Sequence, residues 1–228
     1  MHTTKESLQV LFEDNHIIVV NKRCGDITQG DKTGDAPLSD IIKEYLKEKY
    51  NKPGNVFLGT VHRLDRPTSG IVIYAKTSKA LERLNKMFRD KKVTKTYWAI
   101  VKGHPKNEQG SLSNFLKKNP KLNKSFVYKK EITGSKKAIL HYYLVKKLQN
   151  YSLLQINLET GRHHQIRVQL SHINHPIKGD LKYGDKRSND DGGISLHARK
   201  IEFTHPVSKE NIKITAPTPQ NSIWKACS

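Results

Sequence analysis

The sequence predicts an α+β fold, with a mixed, mostly antiparallel sheet and flanking helices. Three observations lead there. Short β-branched runs come in pairs around polar turns, as in hairpins. Two other segments repeat their apolar residues at helical spacing. Strands and helices also follow one another without strict βαβ alternation.

Leu8 to Phe12 and His16 to Val20 flank Glu13-Asp14-Asn15, which reads as a first hairpin. Asn21 to Gly34 holds three glycines and little periodicity, so it reads as a loop. Pro37 suits the first turn of a helix. There Leu38, Ile41, Ile42, Tyr45 and Leu46 form an apolar stripe to about Tyr50, and Asn51 to Asn55 ends it. Ile71 to Ala75 is short, β-branched and bounded by Gly70, which favours a buried strand. Thr77 or Ser78 can cap a helix to about Asp90, with Ala80, Leu81, Leu84, Met87 and Phe88 facing the core. Lys95 to Val101 resumes as a strand. Ala138 to Lys147 and Tyr151 to Glu159 flank Leu148-Gln149-Asn150 as another hairpin, and Ile194 to Phe203 reads as a late strand. Thr160 stands before Ile166 and Leu170 as a fair N-cap, which tips that segment to a helix. On it His163, His164, Arg167 and Ser171 would crowd one cationic side.

Charge narrows the function. Of the 228 residues, 41 are Lys or Arg and 21 are Asp or Glu, a formal net charge of +20. Such an excess favours a polyanionic partner. Lys117 to Lys137 is a basic, weakly periodic segment, with Phe126 and Tyr128 interleaved. It suits a solvated hairpin as well as salt-sensitive contact with phosphates. No apolar stretch has membrane-spanning length, and no signal core follows Met1. No membrane partner is expected, and the expected location is cytoplasmic. Cys24 and Cys227 are too few for a zinc site or a disulfide framework. The histidines lack a carboxylate at ligand spacing, so no metal site is expected. P-loop and serine-hydrolase motifs are absent.

Two constellations carry chemistry. In His62-Arg63-Leu64-Asp65-Arg66-Pro67-Thr68-Ser69-Gly70 a carboxylate lies between two arginines, ahead of the buried strand. Flanking guanidiniums favour its ionised form, and an ionised carboxylate can act as nucleophile or base. An ion pair that staples a turn would look the same. The second constellation is Thr160-Gly161-Arg162-His163-His164-Gln165-Ile166-Arg167.

Together these stretches resemble the RluA-type pseudouridine synthases. The first is similar to that family's catalytic motif and the second to its later motif. Lys95-Thr96-Tyr97-Trp98-Ala99 is similar to the segment with its active-site tyrosine, and Leu196-His197-Ala198 with His205-Pro206 fits its C-terminal pattern. The resemblance implies the pseudouridine synthase catalytic fold with a central active-site cleft. It implies isomerisation of uridine in rRNA or tRNA, cut at N1 and rejoined through C5, without cofactor or metal. Asp65 would be the essential catalytic residue, as nucleophile or as base. Arg167 would pair with it, and Tyr97 would stack on the base. Arg63 would fill the gap in the RNA stack, and Ile166 or Leu170 would wall the base. Substrate contacts are also expected at His62, Arg66, Thr68, Arg162, His164 and Gln165. Only 61 residues precede His62, so a single catalytic domain over 1–228 is expected, without a separate N-terminal RNA-binding module, acting as a monomer. The rival readings are a non-catalytic RNA-binding protein that keeps the fold, and an enzyme that cuts the base off for good.

Overall fold

A computed structural model describes residues 3–30 and 34–227. The predicted Asn21–Gly34 loop therefore lies partly outside the described residues. The elements follow in the order β1 (Val10–Glu13), β2 (Ile17–Lys22), α1 (Leu38–Lys49), β3 (Gly59–Thr60), β4 (Ser69–Ala75), α2 (Ser78–Arg89), β5 (Thr94–Lys102), β6 (Gln109–Asn119), β7 (Lys124–Tyr128), β8 (Lys136–Lys147), β9 (Tyr151–Leu158), α3 (Gln165–His172), a 3-10 turn at Leu181–Tyr183, β10 (Leu196–Thr204), β11 (Asn211–Thr215) and α4 (Ser222–Lys225). The fold is α+β with a mostly antiparallel sheet and flanking helices, as the sequence predicts. No described helix is long and apolar enough to cross a membrane.

The chain forms two compact units. The first joins Met1–Thr94 to Ala198–Pro219. Its strands run β1-β2-β4-β10, with β11 on β10 and β3 on β4. Every residue of β4 is buried, which explains its unbroken apolar run: both faces of the strand are covered. Ile17, Val19, Ile71 and Ile73 pack with Ala80 and Leu84 of α2 and with Ile201, Phe203 and Ile214. Met87, Phe88 and Leu81 lie half-buried on that core, as the stripe on α2 predicts. The Thr77 hydroxyl accepts from the Ala80 amide, satisfying one of the orphan donors at the start of α2. Glu13 ties the first hairpin to α1. Burial would raise its pKa, but bonds from Lys49, Lys76 and Tyr50, each 2.7–2.8 Å long, outweigh that and hold it at about 2.

The second unit joins Lys95–His197 to Gln220–Ser228. Its strands run β5-β9-β8-β6-β7, each registered pair antiparallel. The basic segment of the sequence is the β6–β7 hairpin and its return to β8. Leu116, Ser125 and Ala138 turn inward while Lys117, Lys118, Lys121, Lys129, Lys130, Lys136 and Lys137 stand in solvent. Lys124 is half-buried, its Nζ 5.1 Å from the Tyr183 ring centre. α3 is almost wholly buried, from Gln165 to Leu170.

One expectation needs correcting. Thr160 does not cap α3. The helix starts five residues later, after His164 in the left-handed region at φ 53°. The Thr160 oxygen, which would have to accept as a cap, instead accepts from the Ile139 amide at 2.9 Å, and the turn before α3 is closed by Gln165. Its Oε1 accepts from the Thr160 hydroxyl at 2.8 Å and from the Arg162 amide at 3.0 Å, and its Nε2 donates to the Ile139 carbonyl at 3.1 Å. The hydroxyl that would have capped a helix is spent closing a turn.

Candidate active site

In the first unit, Asp65 lies half-buried on a turn at the foot of β4. The Thr68 amide donates to the Asp65 carbonyl at 2.9 Å and closes that turn. A neighbouring loop clamps it from both ends. Thr28 Oγ1 donates to the Leu64 carbonyl at 3.1 Å and accepts from the Leu64 amide at 3.3 Å. The Gly25 amide and Lys22 Nζ both donate to the Arg66 carbonyl, at 2.9 and 3.1 Å. Thr28 is in turn fixed by its own carbonyl, which accepts from the buried Tyr74 hydroxyl at 2.7 Å.

Lys22 is 1% exposed. Burial pushes its pKa down to about 8, against the opposing pull of Asp26, Cys24 and Asp65. The sequence places Lys22 in the Asn21–Gly34 loop and gives no sign that it ends β2, buried with its charge. Gly70 follows with φ +114°, and an added Cβ would lie 2.5 Å from the Ala198 backbone nitrogen and oxygen. Only glycine lets β4 and β10 approach so closely there.

The other predicted residues of this loop differ in setting. Arg63 is exposed. Arg66 pairs with Asp35 at 2.6 Å, both about two-fifths exposed. Thr68 is buried, and its hydroxyl has no hydrogen-bond partner among the described residues. His62 faces the protein. Its Nε2 accepts from the Ile73 amide at 3.1 Å, and its ring stacks on Phe88 with centres 4.8 Å apart. An unprotonated nitrogen in that bond makes His62 a peg for β4.

In the second unit, Tyr97 is buried on β5 opposite Ile156 of β9. Arg167 sits on α3, 5% exposed. Its Nε and Nη2 donate to the two oxygens of Asp180, at 2.7 and 2.9 Å, in a bidentate pair. Its guanidinium carbon lies 5.1 Å from the centre of the Tyr183 ring. The Tyr183 hydroxyl accepts from the Ser125 amide at 2.8 Å and pairs with His164 Nδ1 at 2.9 Å. Ile166 and Leu170 are buried on the same helix. Arg162 donates through Nε to the Lys137 carbonyl at 2.9 Å, and Gln165 lies under the turn it closes.

The expected cationic side of α3 is corrected here. His163 is off the helix, stacked on His164 with ring centres 3.7 Å apart. His164 is held to a pKa of about 2, first by burial and then by Arg167 and His163. The pair therefore adds no charge through His164 at neutral pH. Neither Asp180 nor Tyr183 was legible as a site residue. A lone acid in Gly179-Asp180-Leu181-Lys182-Tyr183-Gly184 reads as a solvated turn until its partner is seen.

Known proteins resemble this chain over most of its length. Residues 16–172 match the family model described as RNA pseudouridylate synthase. An uncharacterised RNA pseudouridine synthase of Bacillus subtilis, YlyB, is 32% identical over 217 residues, covering 94% of this chain and 70% of that protein. Ribosomal large subunit pseudouridine synthase C of Buchnera aphidicola is 37% identical over 217 residues, covering 91% of this chain but only 66% of its own length. Among solved structures, human RNA pseudouridylate synthase domain containing 4 superposes with a TM-score of 0.79 at 22% identity, covering 93% of this chain and 89% of that one. Human RNA pseudouridylate synthase domain containing 1 gives 0.77 at 23%, covering 100% and 90%. At such identities the structural likeness speaks for the fold.

Proposed function

The chain belongs to the RNA pseudouridylate synthase family and is an isomerase of RNA uridine; from that premise we propose that Asp65 is its essential catalytic residue and structured ribosomal or transfer RNA its substrate. The observation that supports this most is the Asp65 turn. Its backbone is fixed on both sides by Thr28, Gly25 and Lys22, and it stands on the buried strand β4. A rigid base under a half-buried carboxylate is what a reacting group needs.

In the reaction, the N1–C1′ bond of the target uridine breaks and uracil turns within the site. A C5–C1′ bond forms, the C5 proton leaves to solvent, and N1 takes up a proton in its place. The carboxylate of Asp65 acts on the sugar, as nucleophile at carbon or as base toward a sugar proton. In this reading Arg167 is the cation that serves it. Tyr97 gives the base a stacking face worth about 1–3 kcal/mol, while Ile166 and Leu170 keep the detached uracil dry. A uridine within a helix must first be flipped out, at a cost of a few kcal/mol. Arg63, exposed beside Asp65, fills the gap it leaves. Phosphate contacts from the lysines of the β6–β7 hairpin offset part of that cost.

Ribosomal RNA is the first substrate to test, because relatives carry the name large-subunit pseudouridine synthase. The reading has the chain act in the cytoplasm as a monomer. The deciding experiment is a carbodiimide-based pseudouridine map of total RNA, treated with the wild-type chain or with Asp65→Asn. A new mark at one or a few uridines, absent with Asp65→Asn, is expected. Marks made equally by both chains would refute the role of Asp65, and abasic products would point to base excision.

A further inference from the structure

We propose that Asp180 and Tyr183 are positioning residues that together set the plane and heading of the Arg167 guanidinium. The inference rests on the reading of Arg167 as the cation that serves Asp65.

An arginine on a helix has four rotatable bonds and about 2 kcal/mol of rotamer entropy. Left alone, it would present its charge in many directions. Asp180 accepts from Nε at 2.7 Å and from Nη2 at 2.9 Å. Two parallel bonds along one edge fix the guanidinium plane and so fix where Nη1 points. The Tyr183 ring, 5.1 Å from the guanidinium carbon, stops the group from swinging off that heading.

Both supports come from one short turn, which is itself tightly held. The Asp180 amide donates to the Ile177 carbonyl at 3.0 Å, and the Asp180 carbonyl accepts from the Tyr183 and Asp185 amides at 3.1 and 3.0 Å. Gly179 begins the turn with φ +87°, where an added Cβ would meet Asn189 and the Gly193 carbonyl at 2.8 Å. Outside the turn, the Tyr183 hydroxyl accepts from the Ser125 amide of β7, which sets the tilt of the ring.

Stability alone does not account for this arrangement. Asp180 is 1% exposed and Arg167 5%. A buried ion pair gives little net stability over packed apolar residues of the same volume, because both ions lose their hydration. What the pair does supply is direction. Two further titratable groups meet Tyr183: His164 at its hydroxyl, uncharged at neutral pH and so no rival for the Asp180 carboxylate, and Lys124, whose Nζ lies 5.1 Å from the ring centre.

The test is a double-mutant cycle on tritium release from RNA labelled at uridine C5, with kcat, KM and melting temperature read for each variant. Asp180→Asn is expected to lower kcat by about 10²-fold, the loss that comes with an ångström of misplacement, with KM nearly unchanged. In an Arg167→Met background the same substitution should cost nothing more, because its only route is through Arg167. Undiminished kcat in Asp180→Asn, or a full loss persisting in the Arg167→Met background, would overturn the proposal. Full turnover by Arg167→Met alone would instead refute the reading of Arg167. Should Asp180→Asn fail to fold, Tyr183→Leu decides. It should lower kcat about tenfold, with Tyr183→Phe recovering most of that loss, whereas wild-type kcat in Tyr183→Leu would also overturn the proposal.

Discussion

The Asp65 turn and the Arg167 helix are fixed by different means. The turn is held through its main chain. Leu64, Asp65 and Arg66 each have a backbone group bonded to a partner in the turn or in the 22–28 loop. Arg167 is held through its side chain, by the Asp180 carboxylate and against the Tyr183 ring. A group held by the backbone keeps its place whatever its own side chain, so replacing Asp65 should remove chemistry and leave the scaffold. A group held by its side chain depends on each support, so changing a neighbour can disable it.

Asp65→Ala offers the largest effect. Tritium release should fall by about 10³-fold or more, while melting temperature and RNA affinity stay near wild type. A collapse in stability would show that the turn depends on the carboxylate and would erase the contrast. Gly70→Ala comes next. The Cβ has no room against Ala198 and the φ is unfavourable, so unfolding should become easier by about 3 kcal/mol or more in denaturant titration.

Lys22 sharpens the comparison through pH. Its folded pKa of about 8 lies below the ordinary lysine value of 10.5. The unfolded chain therefore binds more protons between those values, and stability rises with pH there. The depression corresponds to about 3 kcal/mol, absent below pH 8 and fully gained above pH 10.5. Lys22→Met should remove that rise, seen as the difference between two stability-versus-pH curves; parallel curves would contradict the burial of a charge at this clamp.

Thr28→Val should cost about 1–3 kcal/mol, since it strands both buried backbone groups of Leu64. It should lower kcat more than it raises KM. The smallest effect is expected at the β6–β7 hairpin. Replacing Lys117, Lys118 and Lys121 by Gln should make the salt dependence of RNA binding shallower, by up to about 0.7–0.9 in slope for every phosphate these lysines neutralise, with kcat unchanged. An unaltered slope would mean that these lysines are a solvated face and nothing more.

Local pattern made much of this legible. The run Ile71–Ala75 favoured a buried strand, and the cap at Thr77 or Ser78 with its stripe located α2 to within a residue. Asp65, Tyr97 and Arg167 stand out because long motifs surround them. What the sequence concealed was decided by partners distant along the chain. The start of α3 moved because the Thr160 oxygen accepts from the Ile139 amide of β8 and not from an amide of α3. Lys22 reads as part of the Asn21–Gly34 loop until Arg66 bonds it from 44 positions away. Asp180, in a chain of net charge +20, looks like one of the few acids left to solvent. β11 and α4 were too short to announce themselves.

The first unit closes only when Ala198–Pro219 joins Met1–Thr94. A ribosome making this chain releases β4 long before β10, the strand that covers its edge. Synthesis of residues 95–197 takes roughly 5–20 s at typical elongation rates. For that interval a nascent apolar strand waits with an open edge, the situation that invites a holding chaperone or a wrong neighbour.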